Sequence, residues 1–259
     1  MKNRGIFTIA IGKKYARQAK YLALSAMIHA PHVPRAVLSD QTEYLAPLFD
    51  RIIPFNGETG EIFSLKMRLH HYTPFEKTLF LDADSLIMGN IDFCWDFVAH
   101  KPFSYFGIFA DSGKWYFDIK EIMKKTGAEW FLKFNSGMFL FDSSGEARDI
   151  FDTAHRYFCG GGEKAGVSPF RGTMYPDEPF FALSFVKHGL KPDDDGGRFS
   201  RTLIKASRIR INAVKGISSM YKDGRTVFPQ VVHFCGRRNA PYYLREKLRL
   251  FLYFFPHFI

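Results

Sequence analysis

The sequence predicts an α/β domain built on a mostly parallel sheet, and three observations predict it. The first 72 residues alternate strand and helix patterns, the signature of parallel strands joined by crossovers. Leu79, Phe80 and Leu81 are a short run of large apolar residues without polar alternation, which suits a strand buried on both faces in the middle of such a sheet. That run ends in two carboxylates one residue apart, Asp82 and Asp84. Open α/β sheets bind ligands beyond the carboxyl ends of their strands, and paired carboxylates there are a hard-oxygen site for Mg²⁺ or Mn²⁺ carrying a phosphate. A nucleoside diphosphate fits such a site. Taken alone, an Asp-x-Asp is weak, because such pairs are common in surface turns.

In chain order, residues 6–11 read as a strand, Gly12-Lys-Lys as a turn, and 15–30 as a helix with apolar residues at helical spacing, stopped by Pro31 and Pro34. Residues 35–39 and 51–54 are the next strands, with a helix over 42–49 between them. A helix over 62–72 precedes Pro74 and the central strand. Asn90-Ile-Asp92 looks like a turn capping a helix that contains Trp95 and Phe97. Residues 102–109 read as a strand and 111–130 as a mixed insertion with no core period. Residues 131–141 form a strand interrupted by Asn135-Ser-Gly137, and a glycine within a strand suggests close backbone approach by another group. A helix over 144–158 leads into a glycine-rich loop over 160–175, of a length that in compact domains is often functional. Asp177-Glu178-Pro179 opens the next helix, with proline in its first turn and two acids against its positive end. In the loop over 187–201, Asp193-Asp-Asp reads as a solvated turn rather than a metal site. Short strands follow over 208–211 and 227–234. With no repeat or linker, one domain over 1–240 and a basic, aromatic segment over 241–259 is the economical division.

At 259 residues, 46% hydrophobic and 17% aromatic, the chain can bury one substantial core, which excludes a disordered chain. Its 36 Lys and Arg against 26 Asp and Glu give +10, and a basic surface attracts polyanions: nucleic acid, an anionic membrane face or phosphorylated small molecules. Cys94, Cys159 and Cys235 are odd in number, widely spaced and in no Cys-x-x-Cys pattern, which speaks for reduced thiols in a cytosolic protein. The opening Met-Lys-Asn-Arg and the apolar residues after it mimic a leader peptide. Lys13 and Lys14 cut that run short and no small-residue cleavage site follows, so it reads as the first strand. No apolar run approaches the length of a membrane span.

Four strings carry a resemblance: Phe80-Leu-Asp82-Ala-Asp84-Ser-Leu-Ile, Phe134-Asn135-Ser136-Gly137-Met-Phe-Leu, Asp177-Glu178, and Val231-Val-His233-Phe-Cys-Gly236-Arg237. In order and rough spacing they resemble the motifs of the retaining glycosyltransferases of family 8, which include glycogenin and the bacterial lipopolysaccharide galactosyl- and glucosyltransferases. Each string is weak singly. The likeness extends from Thr8 to about Gly236.

The resemblance implies the GT-A fold, a Rossmann-like mixed sheet flanked by helices, and a UDP-sugar donor held by Mn²⁺, with Mg²⁺ as the alternative ion. It matches Asp82, Asp84 and His233 to the metal ligands, and a carboxylate pair with one imidazole suits Mn²⁺ better than Mg²⁺. Thr8, Ile9, Ala10 and Tyr15 match the uridine-binding segment, with Tyr15 placed to stack on the base. Lys66 matches a lysine that lies against the donor, Asn135, Ser136 and Gly137 the lining of the sugar pocket, and Asp177 an acid that binds donor hydroxyls. Gly236 closes the last motif, and relatives carry lysine where Asn239 stands, a loss that Arg237 or Arg238 can offset as diphosphate donors. Relatives also commonly carry glutamine where this chain has Glu178. A carboxylate there can stabilise an oxocarbenium-like centre or attack it as a nucleophile; the competing reading is that Glu178 only caps its helix.

Arg245, Lys247 and Arg249 stand among dense aromatic and aliphatic residues, a pattern that suits a membrane interface on anionic lipid; a helix packed on the core is the alternative. The expectation is therefore a cytoplasmic hexosyltransferase, peripheral at the inner membrane face, acting on a glycan or glycolipid acceptor and not on nucleic acid. Two competitors stand beside it. A nucleotidyltransferase usually carries a longer glycine- and arginine-rich loop than Gly12-Lys-Lys. A non-catalytic basic membrane or nucleic-acid binder leaves Asp82 and Asp84 without a purpose.

Overall fold

The structure is a computed structural model and describes residues 3–57, 62–160, 167 and 175–256. Its first part is the expected alternation: β1 (Arg4–Ile9), α1 (Lys13–His29), β2 (Arg35–Ser39), α2 (Thr42–Leu45), β3 (Arg51–Pro54), α3 (Ile62–Lys66), a 3₁₀ turn at Leu69–His71, and β4 (Lys77–Leu81). There follow β5 (Ser85–Ile87), a 3₁₀ helix at Asp92–Val98, β6 (Phe103–Ser104), β7 (Gly107–Phe109), α4 (Ile119–Thr126), β8 (Leu132–Phe134), β9 (Met138–Asp142), α5 (Gly145–Cys159) and α6 (Glu178–Lys187). The last third holds β10 (Ser200–Thr202), β11 (Ser207–Asn212), β12 (Ile217–Lys222), β13 (Arg225–Val227), β14 (Val231–His233) and α7 (Ala240–Phe254).

The main sheet has the order β3-β2-β1-β4-β9-β6. Its first four strands are mutually parallel and β9 runs antiparallel to both β4 and β6, so the sheet is mixed and mostly parallel. Side chains alternate across a strand, and both faces here are apolar. Phe7, Leu38, Phe80, Phe139 and Phe141 enter one core; Ile6, Leu79, Leu81 and Leu140 enter the core on the other face. The first core is dominated by rings: Phe103 lies 5.1 Å from Phe185, and Tyr105 stacks on Phe185 at 3.9 Å while its hydroxyl donates to the Leu190 carbonyl. Helices α5 and α6 cover this face and are tied together where Ser184 Oγ donates to the Ile150 carbonyl at 2.6 Å.

A second sheet, β10-β14-β5, brings the far end of the chain back to the centre. Strand β14 pairs antiparallel with β5, with His233 opposite Ser85 and the Phe234 N–H donating to the Asp84 carbonyl at 3.0 Å.

Several elements differ from the sequence reading. The helix over 62–72 stops at Lys66 and resumes only as the 3₁₀ turn, and α2 has four residues rather than eight. The helix after Asn90 is 3₁₀ and has no side-chain cap; the Asn90 side chain instead accepts from the Asp92 N–H at 2.6 Å. The strand over 102–109 is two strands with different partners, β6 on β9 and β7 on β8. The insertion over 111–130 contains α4, capped by Asp118, whose side chain accepts from the Lys120 and Glu121 N–H groups, and closed by Gly127 at φ 67. The strand over 227–234 breaks at Pro229, which has no N–H for a ladder. Strand β12, unforeseen, completes a meander of β11, β12 and β13. The triplet Asp193-Asp-Asp is not a solvated turn as a whole: Asp193 pairs with Lys101 and accepts from Ser104, and Asp195 is buried against Arg201 at 2.7 Å. Most of the loop expected over 160–175 lies outside the described residues.

Candidate active site

Strand β4 delivers Asp82 and Asp84 just beyond its carboxyl end. The strand ends at Leu81, and a tight turn, closed where the Ser85 N–H donates to the Asp82 carbonyl at 2.9 Å, leads into β5. Ala83, between the acids, is buried with Ala10 and Val37. The two carboxylates are thereby left on the opposite side, each partly exposed. Because β14 pairs with β5, His233 arrives beside them: its Nε2 stands 3.0 Å from an Asp84 oxygen and 3.6 Å from an Asp82 oxygen.

The orientation of that imidazole is fixed from behind. Asn135 Oδ1 accepts the Gly137 backbone N–H at 3.2 Å, which settles which end of the amide is the oxygen. The same oxygen, 2.8 Å from His233 Nδ1, must take that nitrogen's proton, which turns Nε2 toward the acids. Orientation of a ligating histidine through its other nitrogen is the usual outer support of a metal site. Gly137 is required here because a Cβ at that position would run into the His233 ring. The stretch over 131–141 is not one interrupted strand but β8 and β9, which belong to different sheets, and Gly137 lies in the turn between them, where the close approach is made by the imidazole.

Burial pushes the Asp82 carboxyl above the usual carboxylate range, against the pull of Lys66 and His233. Burial pushes Asp84 the same way and is the largest single influence on it, but the hydrogen bond and charge of His233 together with the charge of Lys66 outweigh it and hold Asp84 below that range. Burial disfavours the charged His233, yet its bonds to Asp84 and Cys235 raise it well above an ordinary histidine. The ligand atoms of Asp82, Asp84 and His233 all lie within 4.8 Å of one another. Two carboxylate oxygens and an imidazole nitrogen, with a carboxylate burdened by its burial, fit a divalent ion of the Mn²⁺ kind.

Lys66, at the end of α3, links this cluster to a second one. Its ammonium lies 2.8 Å from Asp82 and 3.2 Å from Asp177, and it donates to Ser136 Oγ at 3.3 Å. Burial works against its charge, but the carboxylates Asp177 and Asp82 outweigh that and hold it above the ordinary lysine range. Asp177 is 4% exposed, and its Oδ2, although close to Lys66, has no hydrogen-bond partner among the described residues.

Next to it, Glu178 Oε1 accepts from Asn135 Nδ2 at 3.0 Å and from the Ser136 N–H at 3.2 Å, while Oε2 accepts from the Tyr116 hydroxyl at 2.8 Å. Burial, then the neighbouring Asp177, pushes Glu178 up to about 7. Asn135 thus touches both the histidine and the glutamate. Tyr116 lies in the insertion over 111–130, whose sequence has no core period, between Trp115 and Phe117.

The remaining expected residues divide. Thr8 and Ile9 end β1, and Ala10 follows; the register Phe7 to Phe80 puts Ile9 level with Asp82. All three are buried, and the Thr8 hydroxyl has no hydrogen-bond partner among the described residues. Tyr15 is 39% exposed in the first turn of α1, with the Lys14 ammonium 5.3 Å from its ring. Gly236 takes φ 91 three residues after β14 ends, and Asn239 donates to the Cys235 carbonyl, so it closes this loop. Among the described residues, Tyr15, Arg237 and Arg238 make no hydrogen bond or ion pair with the acidic cluster. A groove of about 540 Å³ flanks Asn135 and is lined by Ile108, Lys133, Met138, Arg201, Lys222 and Arg225 among others.

No protein-family model and no curated protein matches the sequence. Solved structures do. The galactosyltransferase LgtC in complex with donor and acceptor sugar analogues superposes with TM-score 0.60 at 18% identity, over 95% of this chain and 94% of that one. An active-site mutant of LgtC with glutamine changed to glutamate gives TM-score 0.61 at 18% identity over the same shares. The likeness shows the fold: this chain has the GT-A glycosyltransferase fold over nearly its whole length.

Proposed function

We propose, on the premise of that shared fold, that this chain is a Mn²⁺-dependent, retaining glycosyltransferase that moves a hexose from a UDP-sugar to an acceptor hydroxyl. The observation that carries the reading is Asn135, which joins the Asp82–Asp84–His233 donor set to the half-buried Glu178. An ion held by that set supplies charge neutralisation on the departing diphosphate. Everything else falls to the chain. Lys66 holds the donor side of the pocket, Asp177 Oδ2 accepts a sugar hydroxyl, and the ends of β1 with Tyr15 take the uridine. Glu178, its two oxygens oriented by Asn135, Ser136 and Tyr116, lies where a carboxylate stabilises or attacks an anomeric carbon; acceptor attack on the same face afterwards gives retention. The resemblance places glutamine at this position in relatives, and one of the LgtC structures carries a glutamine-to-glutamate change in its active site. The groove beside Asn135 is the acceptor's approach. Helix α7 supports a glycolipid acceptor at the inner membrane face, because it turns Leu244, Leu248 and Tyr253 outward.

The test is hydrolysis of a panel of UDP-sugars by the purified protein, with Mn²⁺ and with EDTA, beside an Asp84→Ala control. Metal-dependent release of UDP from one sugar, abolished in the control, is the expected result and names the donor. No release together with no Mn²⁺-dependent binding of UDP overturns the reading and leaves a non-catalytic relative.

A further inference from the structure

A second cluster of ligating side chains lies away from the active site, where the 3₁₀ turn at Leu69–His71 packs on α5. One ligand atom from each of His70, His71 and Asp152 lies within 4.8 Å of the other two, the same spacing shown by the Asp82–Asp84–His233 set. We propose that His70, His71 and Asp152 form a separate binding site for a divalent transition ion, of which Zn²⁺ is the fitting one.

The second observation is the state of His70. Its side chain is only 5% exposed, and neither ring nitrogen has a hydrogen-bond partner among the described residues. Buried polar groups are rarely left so, and an orphaned one calls for a ligand. Nε2 does face an Asp152 oxygen at 3.4 Å, without hydrogen-bond geometry. Two ligands about 2.0–2.2 Å from a tetrahedral zinc are themselves about 3.4 Å apart, so this separation is what an ion between them requires.

The ring is clamped in that pose: Phe151 stacks on it at 5.1 Å and the His71 ring lies 3.8 Å away. Burial, then His71, pushes His70 down to about 4, so it presents a lone pair at neutral pH. Arg68 and Arg148 add positive potential nearby, against which Asp152 supplies the negative charge. Two imidazoles and one carboxylate are a borderline-soft set, suited to Zn²⁺ and not to Mg²⁺ or Ca²⁺. His71 is exposed and the Asp152 side chain is 41% exposed, which leaves an entry path and room for a water as the fourth ligand. A bound ion would tie the turn that follows Lys66 to α5.

The experiment uses the full chain carrying Asp84→Ala, which weakens the active-site metal set, after stripping with EDTA. Calorimetric titration with Zn²⁺ is expected to show about one equivalent bound with a rise in Tm, and Co²⁺ to give a visible spectrum without a thiolate band. His71→Ala and Asp152→Asn, each added to Asp84→Ala and checked for unchanged circular dichroism, are each expected to weaken Zn²⁺ at least about tenfold, the lower end even for changes one shell beyond the ligands. Absence of Zn²⁺ binding, unchanged affinity in either variant, or a thiolate band assigning the ion to Cys159 overturns the proposal.

Discussion

At the scale of single residues, Glu178 carries the sharpest expectations. If it stabilises or attacks the anomeric carbon, Glu178→Gln lowers kcat at least about 10²-fold, the lower end for a positioned acid or base; unchanged turnover would leave it a helix cap. Its titration gives an independent check. The folded chain holds the Glu178 proton up to about 7 whereas the ordinary value is 4.5. Between those values the native state binds more protons than the unfolded one, so stability falls as pH rises. Glu178→Gln lacks that fall, and in EDTA its Tm relative to wild type should climb from pH 4.5 to pH 7 and then level off; a flat difference would mean an unperturbed carboxyl. Gly137 makes the complementary case on steric grounds. Gly137→Ala drives a methyl into the His233 ring, an overpacking that costs about 1–3 kcal/mol. Mn²⁺ affinity should fall with it, since the imidazole must move; calorimetry reads both. Glycine and histidine stand 96 positions apart, yet each string was recognisable, because residues that converge on one cluster leave short motifs at the ends of strands.

At the scale of elements, what could be read from sequence follows from how local each signal is. Strands β2, β3 and β4 match the pattern reading because their apolar runs end abruptly, and Ser144 caps α5 where a serine was expected to begin it. Partner choice was not local. The apolar stretch over 102–109 looks continuous, but β6 is needed by β9 and β7 by β8, and no residue in it announces the change. Tyr116 was unreadable for the same reason: its role depends on Glu178, 62 positions away. Glu246 shows an element defined by one buried contact. Fully buried on α7, it accepts the Ala213 N–H at 2.8 Å and pairs with Arg249 at 2.6 Å. Glu246→Ala strands the Ala213 N–H and takes the carboxylate from Arg249, which keeps its bond to the Ile211 carbonyl; because Arg249 is itself 36% exposed, the loss should be about 2 kcal/mol, below the range for a wholly buried pair. Denaturant unfolding measures it, and Glu246→Gln, which keeps an acceptor, should recover part of it.

For the whole molecule, the question is where a chain of net charge +10 meets its acceptor. No helix among the described residues is long and apolar enough to cross a membrane. Helix α7 is nonetheless two-sided. Tyr243 and Leu250 are buried in the core shared with β11, β12 and β14, while Leu244 is 64%, Leu248 56% and Tyr253 56% exposed. Deleting the helix would therefore disturb the core as well as the surface, and loss of membrane binding in such a truncation would be ambiguous. Changing only the outward residues separates the two. Leu244→Ser, Leu248→Ser and Tyr253→Ser together should leave Tm within about 1 kcal/mol-equivalent of wild type, as surface changes do, and should abolish sedimentation with anionic liposomes. Added salt should weaken the wild-type interaction, because nearby cations contribute only about 1 kcal/mol each within a Debye length of the lipid. Persistent binding by the triple variant would move the contact to the rest of the basic surface. Insensitivity to salt would make it apolar alone.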